Sequence, residues 1–167
     1  MADSGEACFA SSGTNIRVHN LNKFVFISGG LASHFYCKNK KTSIPILQGK
    51  ESTGANSIAF KNKKTFIVVG GDFLQKDDTD KNCVITNDGG KTWHFPKNPP
   101  SGYRSCIEYL NTDRWITCGL NGVDISNDNG ETWTKISDQS FHVVGKAKKG
   151  NAVYLAGNDG KIGKLIN

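Results

Sequence analysis

Four segments of the chain repeat one hydrophobic pattern. They are Phe24-Val25-Phe26-Ile27-Ser28-Gly29, Phe66-Ile67-Val68-Val69-Gly70, Trp115-Ile116-Thr117-Cys118-Gly119 and Val153-Tyr154-Leu155-Ala156-Gly157. Each is a short apolar run, mostly β-branched or aromatic, closed by glycine. Runs of this length and composition predict strands rather than helices. The closing glycines are 41, 49 and 38 residues apart, and the long interval contains one polar insertion, 72–82. A period near 40 with several strands per unit is the mark of propeller blades.

Four strands, A to D, fit each unit. Blade I spans about 6–48, with strands near 7–12, 23–29, 33–38 and 42–47. Blade II spans 54–97, with strands at 57–60, 65–70, 83–86 and 92–95. Blade III spans 103–137, with strands at 106–110, 114–119, 123–126 and 132–136. Blade IV spans 139–167 and stops after its third strand, with strands at 141–146, 152–156 and 161–165. The expected fold is therefore all-β, a single partial propeller domain over 1–167 with about four blades, the fourth incomplete.

A second pattern runs in phase with the first. Thr86-Asn87-Asp88-Gly89-Gly90-Lys91-Thr92-Trp93 matches Ser126-Asn127-Asp128-Asn129-Gly130-Glu131-Thr132-Trp133, 40 residues apart at every position. This is the S/T-x-D-x-G-x-T-W Asp-box, or BNR repeat, expected at the C–D turns. Its chemistry is structural. The Asp88 and Asp128 carboxylates accept backbone N–H bonds within the turn. Gly90 and Gly130 allow positive φ. Trp93 and Trp133 anchor the returning strand in the core. A weaker third copy, with Asn39 for the aspartate and Ser43 for the tryptophan, is expected at 37–43. Asn158-Asp159-Gly160 reads as an inner turn.

Charge and cysteine usage narrow the function. The chain carries 21 Lys plus Arg against 15 Asp plus Glu, a net charge of +6. The lysines fall in short groups at turn tips, without the clustered arginine and stacking aromatics of a nucleic-acid surface. No apolar run reaches the roughly 18–20 residues of a membrane span. Residues 1–6 carry neither the basic nor the apolar region of a secretory signal. The five cysteines, Cys8, Cys37, Cys83, Cys106 and Cys118, are an odd number without a C-x-x-C pair, and read as reduced, buried thiols rather than metal ligands.

Blade handedness puts the B–C and D–A loops on the usual ligand face. That face offers Glu51, Asn56, Asp72, Tyr103 and Arg104. Arg104 could clamp a carboxylate or phosphate bidentately, or could form an ion pair with Asp72 or Glu51 that orders loops. Glycoside hydrolysis would need paired carboxylates or a tyrosine nucleophile, and only Glu51 and Asp72 are placed to try. No dinucleotide or haem motif supports redox chemistry. Asp78, Asp80 and Asn82 begin a calcium-loop spacing, but Cys83 and Gly89 stand where it needs Gly and Glu. No metal ligand set, catalytic residue or cofactor is assigned.

Gly54-Ala55-Asn56-Ser57-Ile58-Ala59-Phe60, Val68-Val69-Gly70-Gly71-Asp72, the two Asp-boxes, Gly102-Tyr103-Arg104-Ser105 and Gly157-Asn158-Asp159-Gly160-Lys161-Ile162 follow in order. In this the chain resembles the C-terminal half of bacterial BNR/Asp-box propellers related to photosystem II stability/assembly factors, many of which carry the label "oxidoreductase". The resemblance implies a ring of about seven blades, further blades N-terminal to residue 1, and an exported or periplasmic setting. It also implies a non-catalytic scaffold for a protein or a small anionic or carbohydrate ligand. The alternative is a carbohydrate-active hydrolase whose site is shared with other blades. An incomplete ring is expected to self-associate through its open edges.

Overall fold

A computed structural model describes residues 2–20 and 23–166. In chain order the strands are β1 (Glu6–Ala7), β2 (Ile16–Asn20), β3 (Lys23–Ile27), β4 (Gly29–Gly30), β5 (His34–Cys37), β6 (Lys40–Ser43), β7 (Thr53–Phe60) and β8 (Phe66–Asp72). They continue with β9 (Cys83–Thr86), β10 (Cys106–Asn111), β11 (Arg114–Gly119), β12 (Gly122–Ser126), β13 (Thr134–Ser137), β14 (Val143–Lys146), β15 (Val153–Ala156) and β16 (Ile162–Lys164).

The strands form four antiparallel meanders, each a twisted blade. Blade I is β2-β3-β5-β6 and blade III is β10-β11-β12-β13. Blade IV is the three-stranded β14-β15-β16. Blade II is β7-β8-β9, extended on its inner side by β4 and β1 through the pairs Gly29↔Gly54 and Glu6↔Gly30. The fold is an all-β propeller arc of four blades, the last with three strands among the described residues.

Apolar side chains alternate along each strand, so every blade presents one face to each neighbour. Val25, Ile27 and Phe35 of blade I meet Ile58, Phe66, Val68 and Val84 of blade II. Ile67, Val69, Cys83 and Ile85 of blade II meet Ile107, Trp115 and Trp133 of blade III. Cys106, Ile116, Cys118 and Val123 of blade III meet Val144, Val153 and Leu155 of blade IV. These three seams are the core. Among the described residues no such cluster joins blade I to blade IV.

The innermost strand of blade I is not where the sequence reading put it. Residues 7–12 were expected, but the strand is β2, paired Ile16↔Phe26 and Val18↔Phe24. The alternation Ile16-Arg17-Val18 is the true strand signal. The stretch before it crosses the inner strands of the next two blades. There Ser11 donates to Asn56 Oδ1 at 3.2 Å, and Thr14 lies 2.6 Å from Ser57 Oγ and 3.7 Å from Cys106 Sγ. Arg17 follows the same path. Its Nε donates to the Ile58 carbonyl at 3.0 Å and its Nη2 to Glu108 Oε2 at 3.0 Å and the Ile107 carbonyl at 3.5 Å.

Two outer strands also differ from expectation. In blade II the strand expected at 92–95 is reduced to a single bridge, Ile85↔His94. Pro96, Pro99 and Pro100 follow at once and cannot donate to a ladder. In blade I the third motif copy is a two-residue hairpin, with Cys37 paired to Lys40 and Lys38 at φ 54°.

Candidate functional site

The two S/T-x-D-x-G-x-T-W turns share one hydrogen-bond pattern. In the first, Asp88 Oδ1 accepts from Lys91 N at 2.9 Å and Thr92 N at 3.0 Å, and Oδ2 accepts from Thr92 Oγ1 at 2.7 Å. Gly90 N donates to Thr86 Oγ1 at 3.0 Å. In the second, Asp128 Oδ1 accepts from Thr132 N at 2.9 Å, and Gly130 N donates to Ser126 Oγ at 2.9 Å. The Thr92 hydroxyl and amide hold Asp88 below the usual carboxylate range. Burial pushes Asp128 up, but its bonds from Thr132 and Ser126 outweigh this and lower it. Gly130 has φ 91°, and an added Cβ would meet the Ile67 side chain of the preceding blade. Gly90, at φ 85°, abuts Phe35 in the same way. These carboxylates are spent on the turn.

The five ligand-face residues do not converge on one open site. Arg104 is fully buried, at 0% exposure, and its guanidinium is saturated. Nε donates to Asp124 Oδ2 at 2.6 Å, and Nη2 to the same oxygen and to Ser101 Oγ at 3.2 Å. Nη1 donates to the Tyr103 carbonyl at 2.8 Å and Asn121 Oδ1 at 2.5 Å. Five N–H groups meet five acceptor contacts, so no donor remains for a ligand. The ion-pair partner is Asp124, not Asp72 or Glu51 as the sequence suggested. Asp124 faces blade II from β12, and strand alternation alone could have nominated it.

Tyr103 and Asn56 do meet. The Tyr103 hydroxyl donates to Asn56 Oδ1 at 2.9 Å, both residues are buried, and burial raises the phenol. Phe73 packs edge-on against Tyr103 with centroids 6.4 Å apart, and Phe9 against Phe73 at 6.2 Å. Asp72 is buried beside them, its Oδ1 accepting from Leu74 N at 2.9 Å and its Oδ2 3.7 Å from Lys50 Nζ. Glu51 is exposed on the preceding loop. The insertion 72–82 folds over this region. Its Lys76 carbonyl accepts from Tyr103 N at 2.9 Å, and Asn82 turns inward to the Pro100 and Gly102 carbonyls at 2.8 and 2.7 Å, away from any site with Asp78 and Asp80.

Sequence reasoning missed a second polar cluster, centred on Glu6. Its carboxylate is 1% exposed and accepts from Ser28 Oγ, Tyr36 OH at 2.5 Å, Asp3 N at 2.6 Å and Lys41 Nζ at 3.3 Å, with His34 Nδ1 at 3.0 Å. Burial pushes Glu6 up, but the donors from Ser28, Tyr36, Asp3 and Lys41 together hold it down at about 2. One oxygen or nitrogen each from Asp3, Glu6 and His34 lies within 4.8 Å of the others, a spacing open to a cation. Lys41 Nζ, 2.7 Å from Asp3 Oδ1, already supplies the positive charge there. Alternation puts His34, Tyr36 and Lys41 on one face of blade I; nothing in the sequence points to Glu6.

That same face is open and apolar. Ile16, Val18 and Phe24 are 51%, 72% and 52% exposed. Phe26 stacks on Tyr36 with centroids 4.2 Å apart. A cavity of about 360 Å³ lies over Phe24, Phe26, Tyr36 and Lys41. At the other end of the arc, Tyr154 and Ile162 of blade IV are exposed. No helix of the described residues is long and apolar enough to cross a membrane.

No protein-family model matches the sequence. No curated protein matches it either. A solved structure, "YCF48 bound to D1 peptide", is similar in fold, with a TM-score of 0.60 at 12% sequence identity. The match covers 99% of this chain and 56% of that one. The chain therefore spans about half the length of that structure. At this identity the likeness establishes the propeller fold and nothing finer.

Proposed function

We propose that the chain is a non-catalytic propeller scaffold that binds protein, and that its four blades form part of a ring of about seven. The observation that carries this reading is the uncovered face of blade I. Ile16, Val18, Phe24, Phe26 and Tyr36 occupy the positions that the adjoining blade covers in each of the three closed seams. Exposed apolar surface of this kind marks an interface. The share of the YCF48 structure matched, 56%, is close to four parts in seven. That protein is described as bound to a peptide, which supports a protein partner here. The S/T-x-D-x-G-x-T-W turns act as Asp-boxes that lock the C–D corners. The hydrolase alternative draws no support from Asp72, which is tied to Leu74 and Lys50, or from the exposed Glu51. A binding role for the ligand face falls to Tyr103 and Asn56, with Phe73 beside them.

Left without a covering blade, the chain self-associates through its flanks. Sedimentation of the purified chain tests this. Concentration-dependent association is expected, with Phe24→Asp shifting it toward monomer. A wild-type chain that stays monomeric at high concentration would overturn it.

A further inference from the structure

Three turns carry the same charge pattern. Residues 38–42 and 61–65 are both Lys-Asn-Lys-Lys-Thr, and 146–149 is Lys-Ala-Lys-Lys. The first lies where β5 turns into β6 in blade I, the second between β7 and β8 in blade II, the third between β14 and β15 in blade IV. In an antiparallel meander the A–B and C–D turns lie at the same end of the blade. Contacts carry that end from blade to blade. The 38–40 and 89–91 turns line one cavity across the I/II seam. Gly89 N donates to the Lys64 carbonyl at 2.9 Å. Lys61 Nζ pairs with Asp113 in the A–B turn of blade III, and Lys146 Nζ donates to the Leu110 carbonyl beside that turn at 2.5 Å. All three lysine turns therefore stand on one face of the arc, opposite the face of Tyr103 and Asn56.

Each turn spends one lysine on structure and presents two. Lys41 Nζ lies 2.7 Å from Asp3 Oδ1, Lys61 meets Asp113, and Lys146 takes the Leu110 carbonyl. Lys38, Lys40, Lys63, Lys64, Lys148 and Lys149 are exposed and make no ion pair among the described residues. The acidic groups at this end are already engaged. Asp88 and Asp128 are bound within their turns, Asp113 by Lys61, and Glu131 by His94 at 3.0 Å. The other face differs: its insertion 72–82 sets Asp72, Asp77, Asp78 and Asp80 against Lys76 and Lys81. The positive charge of the chain is thus collected at one end.

A lysine is a compact, hydrated point charge, without the planar fork that reads a single phosphate. Among the described residues the three tips hold no exposed large apolar side chain, so they offer nothing to insert and no ring on which a base could stack. Six such charges on turn tips at one end match a plane of negative charge.

We propose that this face adsorbs, reversibly and without insertion, on a bilayer surface bearing anionic phospholipid headgroups. Lysines held near such a surface add their attractions, which fade within a Debye length. The inference goes beyond the protein-binding reading and uses neither the flank of blade I nor the face of Tyr103 and Asn56.

Flotation of the full chain with vesicles tests this. The chain should rise with vesicles of equal parts phosphatidylserine and phosphatidylcholine, and stay behind with phosphatidylcholine alone. Recovery should vanish at about 1 M salt, where the screening length falls to about 3 Å. Lys63→Gln/Lys64→Gln and Lys148→Gln/Lys149→Gln should each keep the wild-type melting temperature. Each pair should bind roughly twentyfold more weakly, at about fivefold for each lysine removed. Lys63→Arg/Lys64→Arg keeps the charge and should float like the wild type. Lys76→Gln/Lys97→Gln takes the same charge from the opposite face and should leave flotation unchanged. No flotation, binding to phosphatidylcholine alone, persistence at high salt, equal weakening by the opposite-face pair, or stripping from the vesicles by duplex DNA at equal phosphate concentration would each overturn the proposal.

Discussion

Arg104 and Asp124 make the sharpest test of the fold's energetics. Both are buried, at 0% and 1% side-chain exposure. Removing one partner of such a pair leaves a charge without solvent or counter-ion and costs about 3–5 kcal/mol. Arg104→Met, the arginine single variant, also strands the Tyr103 carbonyl and Asn121 Oδ1. For a domain of this size that is about 6–20 °C in melting temperature, at roughly 2–4 °C per kcal/mol. Asp124→Leu should cost a similar amount, because the guanidinium then loses its counter-ion. The double variant Arg104→Met/Asp124→Leu should cost nearer one single change than the sum, since neither charge is then left alone. Denaturant unfolding of all four proteins completes the cycle, and a coupling of about 3–5 kcal/mol is expected. Additive losses would show that the two side chains do not act as a buried pair. Arg104 would then be free to serve a ligand, contrary to the geometry.

The remaining expectations concern other parts of the arc. Trp133→Ala should cost about 3–5 kcal/mol, as large core truncations do, and Trp93→Ala distinctly less, because Trp93 is only half-buried; equal losses in thermal unfolding would contradict the difference between the two seams. Glu6 is held at about 2 in the folded chain against an ordinary 4.5. Its contribution is thus fully present above pH 4.5 and drains away as pH falls toward 2. Acid unfolding of Glu6→Gln should show a shallower loss over that window, and an unchanged slope would argue against the buried cluster. Under native alkylation with mass readout, exposed Cys8 should label first and buried Cys83, Cys106 and Cys118 only on unfolding; uniform labelling would refute this.

Much of the architecture is legible because apolar alternation is strong wherever both faces of a blade are covered. β8, β9, β11 and β12 lie within a residue or two of their expected bounds, and both faces of each are buried. The signal fails where burial is one-sided. Blade I has one open face, so its inner strand Ile16-Arg17-Val18 carries a charge toward the core and valine toward solvent, the inverse of the usual pattern. The site is less legible still. Arg104 was visible as an arginine entering an inner strand, but its partner lies 20 residues on, in the next-but-one strand. Sequence spacing does not reveal which carboxylate a twisted sheet brings to it. Glu6 lies in a two-residue strand whose meaning depends on pairing with Gly30. No local pattern announces such a contact.

Arg17 gives the arc a property that a simple stack of repeats lacks. In a linear array each unit senses only its neighbours, and unfolding can begin at either end. Arg17 starts in blade I, takes the Ile58 carbonyl of blade II and ends on Glu108 of blade III. One side chain therefore couples first, second and third units directly. Arg17 thus ties blades I to III to one another, while blade IV, among the described residues, meets the rest through its seam with blade III. The expected consequence is uneven protection: backbone amides of blade IV, which packs against blade III alone among the described residues, should exchange faster than those of blades I to III.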